Sequence, residues 1–255
     1  MHKVLAIALN TFRETVRDKI LYTLLVFAFA MIGSAAILIQ ISVRAESRMI
    51  LDLGLAAISL IGLLMAIFVG ITLVYKEVDR RTIYTIIAKP IHRSQFILGK
   101  YLGLLATLLA NVAAMALALL LLHWALEGRW AWGLLPVIWL TYAELAVVTA
   151  LAVLFSAFTT PVLSATYALS LFLIGRLSDD LVTFLGQMPS AAVRGLAVGL
   201  YYILPNLRIF DVRGQAAAGQ VPDLGWVAGA TAYGILYALF LLAATVLIFQ
   251  RRDFK

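Results

Sequence analysis

The chain has 255 residues, 64% of them hydrophobic and only 13% charged, with a mean hydropathy of +1.00; soluble domains run at about 45–50% apolar and about 25% charged. This composition excludes a water-soluble globule and, with nearly all the length in apolar stretches fit to cross a bilayer, leaves no room for a soluble catalytic domain. The net charge of +7 is gathered beside those stretches, which suits anionic lipid headgroups and not nucleic acid, and the lack of cysteine excludes disulfides, thiolate metal sites and cysteine nucleophiles.

In chain order, residues 1–19 come first. Leu5, Ala8, Leu9, Phe12, Val16 and Ile20 fall on one face at helical spacing, opposite Lys3, Asn10, Arg13, Glu14, Arg17 and Asp18. The spacing predicts a helix lying in the membrane interface, with a merely solvated start to the first span as the alternative. The apolar run 20–43, closed by Lys19 and Arg44, is too long for the core of a signal peptide and reads as a membrane span. Runs 53–75 and 101–126 read the same way. From 130 to 175 the one charge is Glu144, and Thr159-Thr160-Pro161 supplies a turn, so spans are predicted at 132–158 and 161–184. The last span is 224–250. The expected fold is an all-α membrane protein, a single domain of six transmembrane helices.

Residues 185–223 are too apolar for an exposed loop and carry several glycines and Pro205. They predict a re-entrant segment dipping into the outer leaflet; a seventh full span, which would put the termini on opposite sides, is the alternative. With six spans the termini share a side with the loop 76–100. That side holds most of the 20 Lys and Arg: Lys3, Arg13, Arg17 and Lys19, then Lys76, Arg80, Arg81, Lys89, Arg93 and Lys100, then Arg251, Arg252 and Lys255. Positive residues stay inside, so both termini are expected in the cytoplasm.

Catalytic signatures are missing from the sequence. There is no G-x-x-x-x-G-K-[ST], H-E-x-x-H or G-x-S-x-G, and His2, His92 and His123 are scattered. The informative stretch is the loop 76–100. Its centre, Thr82, Ile83, Tyr84, Thr85, Ile86, Ile87 and Ala88, is an unbroken run of about two helical turns that Pro90 stops, edged by Arg80, Arg81, Lys89 and Arg93. An apolar helix outside the bilayer must bury its face, either in a groove on a cytoplasmic protein or among the headgroups beside its own spans.

The order of acidic residue, basic pair, threonine, apolar run, Lys-Pro, arginine and Gly-Lys resembles the coupling segment of ABC-2 type transporter permeases. Here it reads Glu77, Arg80-Arg81, Thr82, Lys89-Pro90, Arg93 and Gly99-Lys100. The interfacial first helix, the turn 156–161 and the outer segment with Tyr201-Tyr202-Ile203-Leu204-Pro205-Asn206 resemble that family's plan, so the likeness runs the length of the chain. Arg81 departs from the glycine that often precedes the threonine. The resemblance implies a non-catalytic permease of a bacterial plasma membrane that pairs with a second copy and docks on a separate ABC ATPase. Docking would use Arg80, Arg81, Thr82, Ile83, Tyr84, Ile86, Ile87, Pro90 and Arg93, and ATP and Mg would be held by that ATPase, with no cofactor on this chain. Membrane lipid and a periplasmic or extracellular accessory protein complete the implied partners.

Glu144, midway along the fourth span, is costly there unless paired, hydrated or protonated. It is a candidate for the translocation path or a dimer seam, against a structural hydrogen bond to a neighbouring hydroxyl or tyrosine. Arg176, Asp179 and Asp180 stand at the i, i+3, i+4 spacing of ion pairing along one helix, either as a surface pair or as an outer gate. His123 and Trp124 read as interfacial anchors. Two other classes stay open: a non-transporting transmembrane transducer driven by an ATPase, and an intramembrane enzyme, which would need a second deep carboxylate or histidine facing Glu144.

Overall fold

The computed structural model describes residues 2–41, 47–79, 92–178, 180, 183, 195, 199, 204–217 and 219–251, without the side chains of 36, 38–41, 47–49, 72–79, 217 and 250–251. Among these residues the structure is helical, with no strand. The principal helices are α1 (His2–Val16), α2 (Lys19–Ile41), α3 (Ser47–Asp79), α4 (Arg93–Glu127), α5 (Leu135–Ser156), α6 (Pro161–Arg176), the short α7 (Arg213–Ala217) and α8 (Leu224–Arg251). Among the described residues four stretches are each long and apolar enough to cross a membrane: Ile50–Ile71, Arg93–Glu127, Trp132–Ser156 and Leu224–Phe249. The other two expected spans differ from these. α2 follows α1 across a bend of 63°, and Pro161–Arg176 is a shorter apolar helix, against the run 161–184 read from hydropathy.

Local chemistry explains these boundaries. The Asp18 side chain accepts the Ile20 N–H at 3.0 Å and so caps α2 where α1 ends. Gly128, at φ 67°, closes α4 in the left-handed conformation and donates its N–H to the Trp124 carbonyl at 2.8 Å. Beyond it, Trp124, Trp130 and Trp132 stack in series at 5.9 and 5.6 Å, and all three are exposed, as indoles at a bilayer boundary are. His123 is buried beside them, so of the expected pair only Trp124 sits as an anchor does. At the opposite end of the bundle α5 turns into α6: the Thr159 hydroxyl donates to the Phe155 carbonyl at 2.9 Å, and Pro161 opens α6 at a position that needs no N–H.

α5 is the central helix and packs against α3, α4, α6 and α8. A bilayer offers no hydrophobic drive between helices, so close backbone approach must do the work. Gly62 and Gly70 of α3 supply it: a Cβ on Gly62 would lie 2.5 Å from Leu145, and one on Gly70 would lie 2.9 Å from the Ala152 Cβ.

The same device fixes α1. Gly99 and Gly103 sit one turn apart on α4, where added Cβ atoms would lie 2.7 Å from the Ile7 Cβ and 2.6 Å from the Ala8 carbonyl oxygen. The buried residues of α1 are accordingly Thr11 and Thr15, while Leu5 and Leu9 of the apolar stripe stay 70% and 50% exposed. The stripe is free to meet lipid, and the small, polar flank of the helix packs on protein. Nearby, the buried Lys100 ammonium lies 3.8 Å from the Glu14 carboxylate, and Arg93 donates from Nη1 to the Phe249 carbonyl at 2.8 Å. The first helix, the start of α4 and the end of α8 therefore gather at one end of the bundle.

Candidate functional site

Glu144 lies in the middle of α5 with its side chain 2% exposed. Counted from the α5–α6 turn, it is twelve residues up α5 and Arg176 is fifteen up α6, rises of about 18 and 23 Å. The two side chains meet at that level. The Arg176 guanidinium donates from Nε to Glu144 Oε1 at 2.9 Å and from Nη2 to Oε2 at 3.1 Å, the parallel two-bond geometry that Arg makes best with a carboxylate. The cation also lies 5.4 Å from the centre of the Phe172 ring one turn below, and it stands at the C-terminus of α6, where the backbone dipole favours a positive charge.

The remaining edge of Arg176 faces a different element. Its Nη1 is 3.2 Å from Asp211 Oδ2, and Asp211 in turn accepts two bonds from Arg213, at 2.9 and 3.1 Å. The cluster of Glu144, Arg176, Asp211 and Arg213 sums to zero formal charge, the condition under which charges survive in a low dielectric. Burial pushes the Asp211 carboxyl up, but the bonds from Arg213 and the charge of Arg176 outweigh it and hold the group below its ordinary range.

Asp211 is brought there by residues 204–217, which fold against the bundle as a 3-10 turn, Leu207–Phe210, followed by α7. Gly175 makes the fit possible, since a Cβ there would lie 2.5 Å from the Pro205 carbonyl oxygen. Asn206 caps the turn by accepting the Arg208 N–H at 3.1 Å, and its own N–H donates to the Tyr233 hydroxyl at 2.9 Å. Leu207, Phe210 and Val212 are buried; Phe210 seats at Gly234, where a Cβ would be 3.1 Å from the ring. The Trp226 indole donates to the Ile209 carbonyl at 3.1 Å.

For Asp180, the pairing expected along one helix gives way to pairing between elements. Arg176 binds Glu144 and Asp211, while Asp180 accepts from Arg208 at 2.9 Å on the surface; Asp179 lies outside the described residues. The physical reason is burial: the guanidinium, 20% exposed, takes the deep Glu144 carboxylate and turns its outer edge to the partly exposed Asp211, while Asp180, 67% exposed, is better served by water and a surface arginine. The partner of Glu144 is an arginine and not the hydroxyl or tyrosine of the alternative reading. Sequence reasoning missed Asp211 and Arg213, whose close spacing between apolar residues was the available signal.

Of the proposed docking residues, Arg80, Arg81, Thr82, Ile83, Tyr84, Ile86, Ile87 and Pro90 lie outside the described residues. Arg93 is described and opens α4 with its bond to Phe249. Two apolar clefts of about 230 and 570 Å³ run between α4, α5 and α8 and share Trp139 and Tyr142 in their walls; Glu144 lines neither. The polar atoms of those walls are turned inward, the Trp139 indole to Thr231 and the Tyr142 hydroxyl to the Leu105 carbonyl. No group of three His, Asp or Glu among the described residues is placed to hold a metal ion.

A family model for the ABC-2 family transporter protein matches residues 5–254. No curated protein matches the chain.

Proposed function

The chain belongs to the ABC-2 family of transporter proteins and is a multi-pass membrane permease; from that premise we propose that it works as the membrane half of an ATP-driven exporter in a bacterial plasma membrane. The family implies an ABC ATPase as partner. In the proposed complex two copies of the permease stand side by side, their termini in the cytoplasm, each docked on an ATPase that holds ATP and Mg. Docking runs through the loop between α3 and α4, with Ile83, Tyr84 and Ile87 filling a groove on the ATPase and Arg80, Arg81 and Arg93 at its rim. The family match along nearly the whole chain carries this reading.

The bundle offers a route for the motion. α3 ends at Asp79 and α4 begins at Arg93, so a push on the loop reaches both helices at once. Gly99 and Gly103 key α1 to the start of α4, and Arg93 ties that start to the end of α8. A displaced loop therefore drags a packed group of helices as one body, a discrete shift of the kind packed interfaces allow.

Ile83→Asp and Ile87→Asp test the docking. Each would bury an unpaired carboxylate at the contact and cost several kcal/mol of binding. Both variants should express, insert and be purified normally, yet lose the ATPase on co-purification together with ATP-dependent activity. Retention of the ATPase at wild-type stoichiometry with full activity would sink the docking assignment.

A further inference from the structure

The four-charge cluster is not held together evenly. Glu144 and Arg176 share two bonds, Asp211 and Arg213 share two bonds, and between these pairs there is one contact, Arg176 Nη1 to Asp211 Oδ2 at 3.2 Å. The first pair belongs wholly to the bundle, on α5 and α6. The second belongs wholly to the segment 204–217. A cut between them leaves two neutral units, each with its carboxylate still doubly bonded to its own arginine.

That partition has a consequence. Pulling apart two elements joined by an ion pair normally strands a charge on each side, at a cost that rises with burial, and the Arg176 and Asp211 side chains are only 20% and 32% exposed. Here separation strands none. Further ties of the segment are also separable: buried apolar side chains at Leu207, Phe210, Val212 and Ala216, the Asn206 bond to Tyr233, the Trp226 bond to Ile209, and the exposed Arg208–Asp180 pair, whose charges pass to water. The segment has little regular structure of its own, a turn of four residues and a helix of five, so tertiary contacts hold it and it can leave as one unit.

We propose that residues 204–217 are a detachable plug, latched to the deep ion pair of the bundle by the Arg176–Asp211 contact and released there with the Asp211–Arg213 pair travelling on the plug and the Glu144–Arg176 pair staying behind. Release uncovers the sockets at Gly175 and Gly234 and the free edge of Arg176, opening the bundle at the level of Glu144. Only the purpose of the opening rests on the permease reading; the latch itself is tested on the permease alone, so failure of the one is distinguishable from failure of the other.

The chain contains no cysteine, so Val212→Cys places one thiol at a position that is 3% exposed with the plug seated. The rate of labelling by a membrane-impermeant maleimide, in purified permease without ATPase, reads plug release. In an otherwise unchanged chain labelling should be slow. Adding Asp211→Asn, which cuts the latch on the plug side, should raise the rate at least tenfold while the thermal midpoint stays within a few degrees. Adding Glu144→Gln instead leaves Arg176 free to hold Asp211, and the rate should remain within about threefold of the starting value. Arg176→Lys, which keeps the charge but cannot serve both carboxylates, should label as fast as Asp211→Asn and replaces it if that variant fails to fold. Equal rates in all backgrounds would overturn the latch. Equal acceleration by Glu144→Gln and Asp211→Asn, with a matching fall in thermal midpoint, would also overturn it, since the cluster would then be a structural clamp without a parting plane.

Discussion

Replacing Glu144 by leucine keeps the size of the side chain and strips two bonds from Arg176, leaving that guanidinium one contact to Asp211 at 3.2 Å. Breaking a buried pair from one side costs about 3–5 kcal/mol, because the surviving charge stays buried. Arg176 is 20% exposed and keeps a second carboxylate, which puts the cost at the lower end, about 3 kcal/mol. For a chain of this size that corresponds to a fall of about 6–12 °C in the thermal midpoint, readable in detergent from the fluorescence of its five tryptophans. The double change Glu144→Leu with Arg176→Met removes the pair altogether and fills the space with hydrocarbon, while Asp211 keeps its two bonds from Arg213. It should return the stability to within about 1 kcal/mol of the starting protein, about 2–4 °C in the midpoint, since an apolar replacement of a buried pair is commonly neutral or better. A single variant within a degree or two of the original, or a double variant as low as the two singles added together, would refute the reasoning.

Gly103→Val sets a Cβ 2.6 Å from both the Ala8 carbonyl oxygen and the Thr11 Cβ, and overpacking of that kind costs about 1–3 kcal/mol. It should loosen α1 and speed tryptic cleavage after the exposed Arg13 and Arg17, whereas Gly33→Val, with nothing within 4 Å, should not; equal rates would remove the glycine contact as the anchor of α1. Asp211 has a folded pKa below its unfolded value, so its pairing adds stability in full above about pH 4 and loses it as the pH falls through the folded value. The stability difference between the starting protein and Asp211→Asn should therefore be constant from neutral pH down to about pH 5 and close below about pH 4; a gap that closed near neutrality would contradict the pairing.

Hydropathy carried most of the helices, because a stretch such as 224–250 has to be apolar on every side to sit in lipid. The turn at Thr159-Thr160-Pro161 was legible for the same local reason, a proline with a hydroxyl residue before it. Partnerships were less so. Arg176 has acidic residues three and four places ahead of it in the chain, and spacing alone favours them; its real partner is 32 residues away on a neighbouring helix, chosen by shared depth. α1 shows a second limit. Its apolar stripe was legible as a surface for the membrane interface, but nothing in the spacing showed that Thr11 and Thr15 are the residues that the glycines of α4 draw inward. Gly175 gave no sign in the sequence that a second stretch of backbone would cross it.

The deep ion pair also bears on how the chain enters the bilayer as it is made. Glu144 leaves the ribosome 32 residues ahead of Arg176, so an α5 offered to the membrane by itself would carry an uncompensated carboxylate at its centre, at a cost of about 2.5–3.5 kcal/mol. Offered together with α6, the same carboxylate arrives already neutralised. The close turn between Ser156 and Pro161 lets the second helix fold back on the first as soon as it emerges. The unit that partitions into lipid is then the helical hairpin and not the single span, and the two charges that look most hostile to insertion are what commit its two arms to go in together.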